Sequence, residues 1–305
     1  MTTDLATQKN SLAAWTMCCR PKTWGVALCP VFVGLAFAFF ETHTLQWGIA
    51  LATALLSVLM QAITNMENDA AYTRLKAERS NRKGLPRATS LGLLSISAVE
   101  KAILLLAGIV ALDTAYLLYQ GGWAIVLISI CSVVAAYLYM GGPKPLAYTP
   151  FSECVCFIFF GLVAVCGTYY LQTKSLSSYA VLGGCAVGFL ATAVLVVNNY
   201  RDISHDASIE RKTLAVVLGK KATARLYAIL IYLPFVVSFV LIALDFSFRP
   251  ILATLFFIPS CKSLFKRLTT LEGDALNNVL FSTVQLELRF SLALSILIFI
   301  SRYLQ

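Results

Sequence analysis

Long stretches of this chain carry no charge. Uncharged, mostly apolar runs cover 23–40, 44–66, 120–142, 154–171, 179–197 and 226–244. Each is close to the roughly 17–25 residues that a helix needs to cross the hydrocarbon core of a bilayer. A seventh run, 98–118, has the right length but is interrupted by Glu100, Lys101 and Asp113. The stretches 250–266 and 286–304 are weaker, with 12 consecutive uncharged residues in each. Continuous apolar runs, rather than alternation, predict helices and exclude a β-barrel. The pattern therefore predicts an all-α polytopic membrane bundle of about nine transmembrane helices.

Charge sorts along this topology. With nine crossings and a cytoplasmic N-terminus, all but four of the 24 lysines and arginines fall in cytoplasmic segments; the exceptions are Lys174, Arg249, Arg302 and Arg289, the last inside the final helix. This is the positive-inside asymmetry, and losing one helix would scramble it. The net charge of +9 thus reflects an inner membrane face and calls for no nucleic acid. Composition agrees: 59% hydrophobic and 13% charged, against about 45–50% and 25% in soluble domains. A soluble enzyme, a disordered chain and a small disulfide scaffold are excluded. The nine cysteines lie mostly in apolar runs and read as free thiols. The first 14 residues lack the apolar core of a cleavable signal peptide. His43 and His205 have no second ligand at metal-binding spacing.

The two halves repeat. Asn65-Met-Glu-Asn68-Asp69 closes the second predicted helix and Asn198-Asn199-Tyr-Arg201-Asp202 closes the sixth, each before a long basic loop. The offset from 65 to 198 equals that from 69 to 202. Helices 1–4 then map onto 5–8 as parallel four-helix repeats, with the ninth left over, and both motifs face one side. The single domain spans 1–305, divided into an N-terminal segment 1–22, repeats 23–145 and 146–266, and a last helix in 267–305.

Asn65, Asn68 and Asp69 share a helix face, as do Asn198, Asp202 and Asp206. Carboxylates at membrane helix ends mark places where ions or polar substrates are handled. Arg201, Arg211 and Lys212 lie near one set, and Lys76, Arg79, Arg82, Lys83 and Arg87 near the other. Carboxylates interleaved with cations suit a Mg²⁺–diphosphate complex, the carboxylates holding metal and the cations holding phosphate. Arg79, Lys83, Lys220 and Lys221 read instead as a solvated face towards anionic lipid.

These residues resemble the UbiA superfamily of intramembrane aromatic prenyltransferases. Asn68-Asp69 and Asn199-Tyr-Arg201-Asp202-Ile-Ser-His-Asp206 carry the resemblance. Arg20-Pro21-Lys22-Thr23, Tyr139-Met-Gly-Gly142-Pro-Lys144-Pro-Leu146-Ala-Tyr148 and Phe159-Phe160-Gly161 are similar to the 1,4-dihydroxy-2-naphthoate polyprenyltransferases of menaquinone synthesis. So are Gly167-Thr-Tyr-Tyr170-Leu-Gln172, Lys212-Thr213-Leu-Ala-Val-Val-Leu-Gly219 and Leu276-Asn277, so that the likeness runs from about residue 18 to the C-terminus. One departure stands out. Where the family's first motif repeats aspartate, this chain has Tyr72 and Lys76, with Glu78 the nearest later carboxylate.

The resemblance implies transfer of a polyprenyl group from its diphosphate to 1,4-dihydroxy-2-naphthoate, with loss of CO₂ and diphosphate, to give a demethylmenaquinone. It implies Mg²⁺ held by Asp69, Asp202 and Asp206 with Asn68 and Glu78, tightest on the Asp202/Asp206 side. Asn198, Arg201, Lys212, Arg82 and Lys76 would bind diphosphate, and Tyr139 and Lys144 would lie near the acceptor or the allylic cation. The expected setting is a bacterial-type cytoplasmic membrane, with lipid as a partner and the N-terminus and site loops cytoplasmic. The alternatives are a different aromatic acid as acceptor, a transporter, or a non-catalytic prenyl-lipid binder. A transporter would be marked by an ionisable residue near mid-membrane, for which Asp113 comes nearest.

Overall fold

The structure, a computed structural model, describes residues 9–74, 86–140 and 145–304. Among these residues there are helices and connecting turns but no strand. In chain order the helices are α1 (Leu12–Cys19), α2 (Trp24–Thr42), α3 (Trp47–Arg74), α4 (Ile96–Gly121), α5 (Trp123–Met140) and α6 (Ser152–Thr173). They continue with α7 (Ser178–Arg201), α8 (Ile203–Ser208), α9 (Leu214–Leu244), α10 (Phe246–Thr270) and α11 (Leu276–Ser301). Eight of the described helical segments are long and apolar enough to span a membrane. The remaining predicted span, the fourth along the chain, is α5, whose 18 residues rise about 27 Å, just short of the hydrocarbon thickness.

The apolar surface is turned outward as well as inward. Leu104, Leu105 and Leu112 of α4 are about three-quarters exposed. So many bare leucines in one row require a lipid environment rather than water. Inside, α2, α7, α9 and α11 surround a core of Phe37, Phe40, Tyr227, Phe235 and Phe290. Phe40 and Tyr179 close on Phe248 with ring centroids 4.4 and 5.0 Å apart. Ser95, Ser177 and Thr213 cap the starts of α4, α7 and α9 by accepting from backbone N–H groups.

Two helices meet almost backbone to backbone. A Cβ on Gly161 of α6 would lie 2.5 Å from the Gly184 carbonyl oxygen and 2.6 Å from the Gly188 Cα of α7. Beside this seam α6 widens into a π-helical stretch, Phe157–Val163. Gly161→Val is therefore expected to separate the helices and lower the unfolding temperature in detergent by several degrees, and an unchanged midpoint would contradict this close approach. Gly219 breaks α9 with φ 74° and ψ 168°, a conformation that only glycine adopts without strain.

Three boundaries differ from the expectation. α3 continues past Glu67 to Arg74, because its last two turns are held by the returning chain rather than by lipid. The run expected to start near 250 opens as a 12-residue 3₁₀ helix, Phe246–Phe257. At about 2 Å rise per residue this covers more depth than an α-helix would, so a short apolar run suffices. α11 starts at Leu276 rather than near 286. Glu287 and Arg289 had broken its apolar run, yet Glu287 is fully buried inside the bundle.

Candidate active site

Both motifs lie at the same end of the bundle, but their carboxylates are used differently. Asp69 is completely buried. Its Oδ2 accepts from the Ala88 N–H at 3.0 Å; its Oδ1 accepts from the Thr89 N–H at 2.9 Å and the Thr89 hydroxyl at 2.6 Å. Both oxygens thus serve the chain that returns from the basic loop. Arg87 donates to the Asn68 carbonyl at 3.0 Å, so Asn68 contributes its backbone there. Asn65 Nδ2 donates to the Cys19 carbonyl at 2.9 Å and the Thr23 hydroxyl at 3.0 Å, fastening the Arg20–Thr23 turn to α3.

The second motif is ionic. Asp202 terminates α7 and is paired with its own neighbour: Arg201 donates through Nε at 2.9 Å to Oδ1 and through Nη2 at 2.6 Å to Oδ2. The same guanidinium reaches Asn198 Oδ1 at 2.9 Å and Asn277 Oδ1 at 2.7 Å. Asn198, Arg201, Asp202 and Asn277 therefore form one network between α7 and α11. Asp206, in α8, is 1% exposed. One of its oxygens accepts from Arg211 at 3.3 Å, and the other has no hydrogen-bond partner among the described residues.

Arg211 ties the pieces together. Its Nε donates to the Ala147 carbonyl at 2.9 Å and its Nη1 to the Tyr72 hydroxyl at 3.4 Å, and it lies 5.3 Å from the Tyr148 ring centroid. Tyr72, the departure from the resembled aspartate motif, also carries Arg87 on its ring face at 3.7 Å. One phenol so contacts two guanidinium groups, a cation–π contact on its face and a hydrogen bond at its oxygen. Lys212 is exposed; its backbone N–H donates to the Tyr148 carbonyl at 3.1 Å, and it borders a cleft with Ala207, Glu210, Arg211 and Val216. In the segment between α8 and α9, Arg211 is buried, Lys212 exposed and Thr213 buried. Tyr139 is half-buried, with Arg211, Glu153 and Tyr72 as electrostatic neighbours. Lys76, Glu78, Arg82 and Lys144 lie outside the described residues.

The donor set can be tested against a divalent cation. No group of three or more His, Cys, Asp or Glu side chains among the described residues forms a ready-made cage. The Asp202/Asp206 half fits Mg²⁺, an ion that takes few carboxylates and completes its shell from water and phosphate. There Asp206 has an unpartnered oxygen and lies close enough to Asp202 for the two charges to interact. The Asp69 half offers no carboxylate oxygen free of backbone donors.

Burial raises the Asp206 carboxyl from its ordinary 3.8 to about 6, against the opposing pull of Arg211. A raised folded-state value favours the protonated folded form. Its stabilisation is complete below about pH 4 and is lost as pH rises to about 6, for a change on the order of 3 kcal/mol. In metal-free protein, Asp206→Asn is expected to flatten the fall in unfolding temperature between pH 4 and 6. An unaltered slope would contradict this assignment.

Sequence reasoning placed Arg211 near the site but favoured its neighbour Lys212; it gave Asn199 no role and passed over Glu153 and Glu287. Asn199 Nδ2 donates to Glu153 Oε1 at 2.9 Å, and both residues are buried. Glu287 is fully buried, and neither carboxyl oxygen has a hydrogen-bond partner among the described residues. The signal available for both acids was a lone carboxylate at the margin of an apolar run.

Residues 27–287 match the UbiA prenyltransferase family, and the chain belongs to that family. Among curated relatives, the 1,4-dihydroxy-2-naphthoate octaprenyltransferase of Mycobacterium tuberculosis is 35% identical over 76% of this chain and 78% of its own length. The 1,4-dihydroxy-2-naphthoate octaprenyltransferase of Haemophilus influenzae is 34% identical over 69% of this chain and 70% of its own length. In fold the chain is similar to a UbiA homologue from Archaeoglobus fulgidus solved with GPP and Mg²⁺. That match has a TM-score of 0.68 at 13% identity and covers 94% of this chain and 99% of that one.

Proposed function

We propose that this chain transfers a polyprenyl group from polyprenyl diphosphate to 1,4-dihydroxy-2-naphthoate, releasing CO₂ and diphosphate and giving a demethylmenaquinone. The observation that carries the reading is the buried network at one end of an apolar bundle, where two carboxylate–guanidinium pairs, Arg201–Asp202 and Arg211–Asp206, converge. Relatives that cover most of the chain bear the name of this activity. Asp202 and Asp206 would hold Mg²⁺, which when bound supplies positive charge beside the diphosphate. Arg201 and Lys212, with Arg82 and Lys76 from the other loop, would hold the phosphates and stabilise the charge that grows as the C–O bond breaks. Tyr139 and Lys144 would flank the acceptor. The bundle would take the prenyl tail and exclude water from the allylic cation.

The assay is transfer of radiolabelled prenyl diphosphate to a panel of aromatic acids in membranes, with and without Mg²⁺. Metal-dependent label in a naphthoquinol product is expected; labelled prenyl diphosphate that is bound or moved but never transferred would favour a lipid binder or transporter. Glu287 is the observation in favour of a transporter, being an ionisable group deep in the bundle. Its side chain is, however, fully enclosed by the described residues.

The mouth of this site would face the cytoplasm, in line with the basic residues that gather on that side. In a cysteine-free background, a cysteine at exposed Ser208 is expected to be labelled only from inside, and one at exposed Thr44 only from outside. The reverse pattern would invert the topology.

A further inference from the structure

Among the described residues, Glu153 is a buried carboxylate without a counter-ion. Its Oε2 accepts from the Ser152 hydroxyl at 2.8 Å and its Oε1 from Asn199 Nδ2 at 2.9 Å, and no ion pair reaches it among the described residues. Asp202 and Asp206, by contrast, each have a guanidinium. A buried acid held only by neutral donors is costly, so stability does not account for its presence. Its position is informative. Asn199 precedes Asp202 by three residues on α7, about 4.5 Å further into the bundle. The reacting allylic carbon is one bond from the diphosphate, so an aromatic acceptor must lie at this depth, beneath the ionic network. Asn199 Oδ1, fully buried beside Glu153, has no hydrogen-bond partner among the described residues. One carboxylate and one amide oxygen thus lie side by side at this depth, a pair that matches the two O–H donors an aromatic diol would bring. Tyr139 and Cys156 are electrostatic neighbours of Glu153.

We propose that Glu153 is the base that takes a ring hydroxyl proton from the aromatic acceptor, with Asn199 both orienting Glu153 and accepting from the acceptor's second hydroxyl. This rests on the prenyl-transfer reading above. As the ring carbon bearing the carboxylate bonds to the allylic carbon, the C–O pair leaves with diphosphate and the hydroxyl proton passes to Glu153. The ring is then a ketone with a carboxylate at the adjacent carbon. Loss of CO₂ returns the C–C pair to the ring as an enolate, whose oxygen takes the proton back from Glu153. No proton or electron is left over, and no further reactant is needed.

The test compares Glu153→Gln with Glu153→Asp. Gln is the better structural substitute, since it preserves length, can accept from Asn199 and can offer its amide to the Ser152 hydroxyl; Asp is shorter but remains a base. Binding of prenyl diphosphate is measured by thermal shift, and transfer by initial rate at saturating acceptor. Both variants are expected to bind prenyl diphosphate within about threefold of wild type. Glu153→Gln is expected to lose at least about a hundredfold in turnover, the range for a missing general base, and Glu153→Asp to retain at least tenfold more activity than Gln. If Gln equals or exceeds Asp, or if Gln abolishes prenyl diphosphate binding, Glu153 is structural and the inference is overturned. If the wild-type protein transfers prenyl to no hydroxyaromatic acid, the parent reading fails and this one with it; wild-type transfer with the Gln-over-Asp order defeats this inference alone.

Discussion

Asp202→Asn is expected to lose at least a hundredfold in prenyl transfer while the protein still inserts and folds. The substitution keeps the size of the side chain and one oxygen able to accept from Arg201 Nε, so the Asn198–Arg201–Asn277 network persists. What disappears is a negative charge at the mouth, and with it the carboxylate proposed to hold the metal. Removing one element of leaving-group stabilisation costs on the order of 3 kcal/mol or more, which is at least a hundredfold in rate. The measurement is the initial rate at saturating Mg²⁺ and both substrates, beside a thermal unfolding curve. Near-normal turnover would move the chemistry away from this half of the molecule.

Asp69→Ala should fail differently, through stability. It removes the acceptor of three hydrogen bonds and strands the buried N–H groups of Ala88 and Thr89. Each stranded buried donor costs about 1–3 kcal/mol, so the loss should exceed roughly 2 kcal/mol. Asp69→Asn, which keeps an oxygen for at least one donor, should lose less. Unfolding of the detergent-solubilised variants checks this, and an Asp69→Ala protein as stable as wild type would show that the returning chain does not depend on the carboxylate. The two aspartates sit at equivalent places in the sequence repeat, yet one variant is expected to be stable and slow and the other unstable.

The helices were legible because lipid demands long gaps between charges, and those gaps stand in the sequence without folding it. Their ends were not, because charged residues there are enclosed by protein instead of meeting lipid. Glu287 interrupts the apolar run of α11 but is enclosed by the bundle, so the helix begins ten residues before the run suggested. Asp202 and Asp206 could be placed together because helical spacing alone relates them. The partners of Asp69 come from backbone N–H groups about twenty residues later, which no side-chain motif records. Arg211 and Lys212 are adjacent and alike in charge. Only the folded path of the segment between α8 and α9 decides which of them turns inward. Tyr72 could be recognised as a departure from the family's aspartates, but its contacts with Arg87 and Arg211 required the fold.

The Arg201–Asp202 pair makes the resting site its own ligand. With both charges almost fully buried, an anion that draws Arg201 away leaves Asp202 in want of a cation, and a cation that engages Asp202 frees Arg201 for an anion. Each ligand thus removes an obstacle to the other, and by thermodynamic reciprocity the gain in affinity must be the same in both directions. A site built this way discriminates by coincidence. With the proposed roles of Asp202 and Arg201, a stray phosphate or a lone divalent ion would meet a latch already closed by its own charges, and only their joint arrival would exchange one internal ion pair for two external ones.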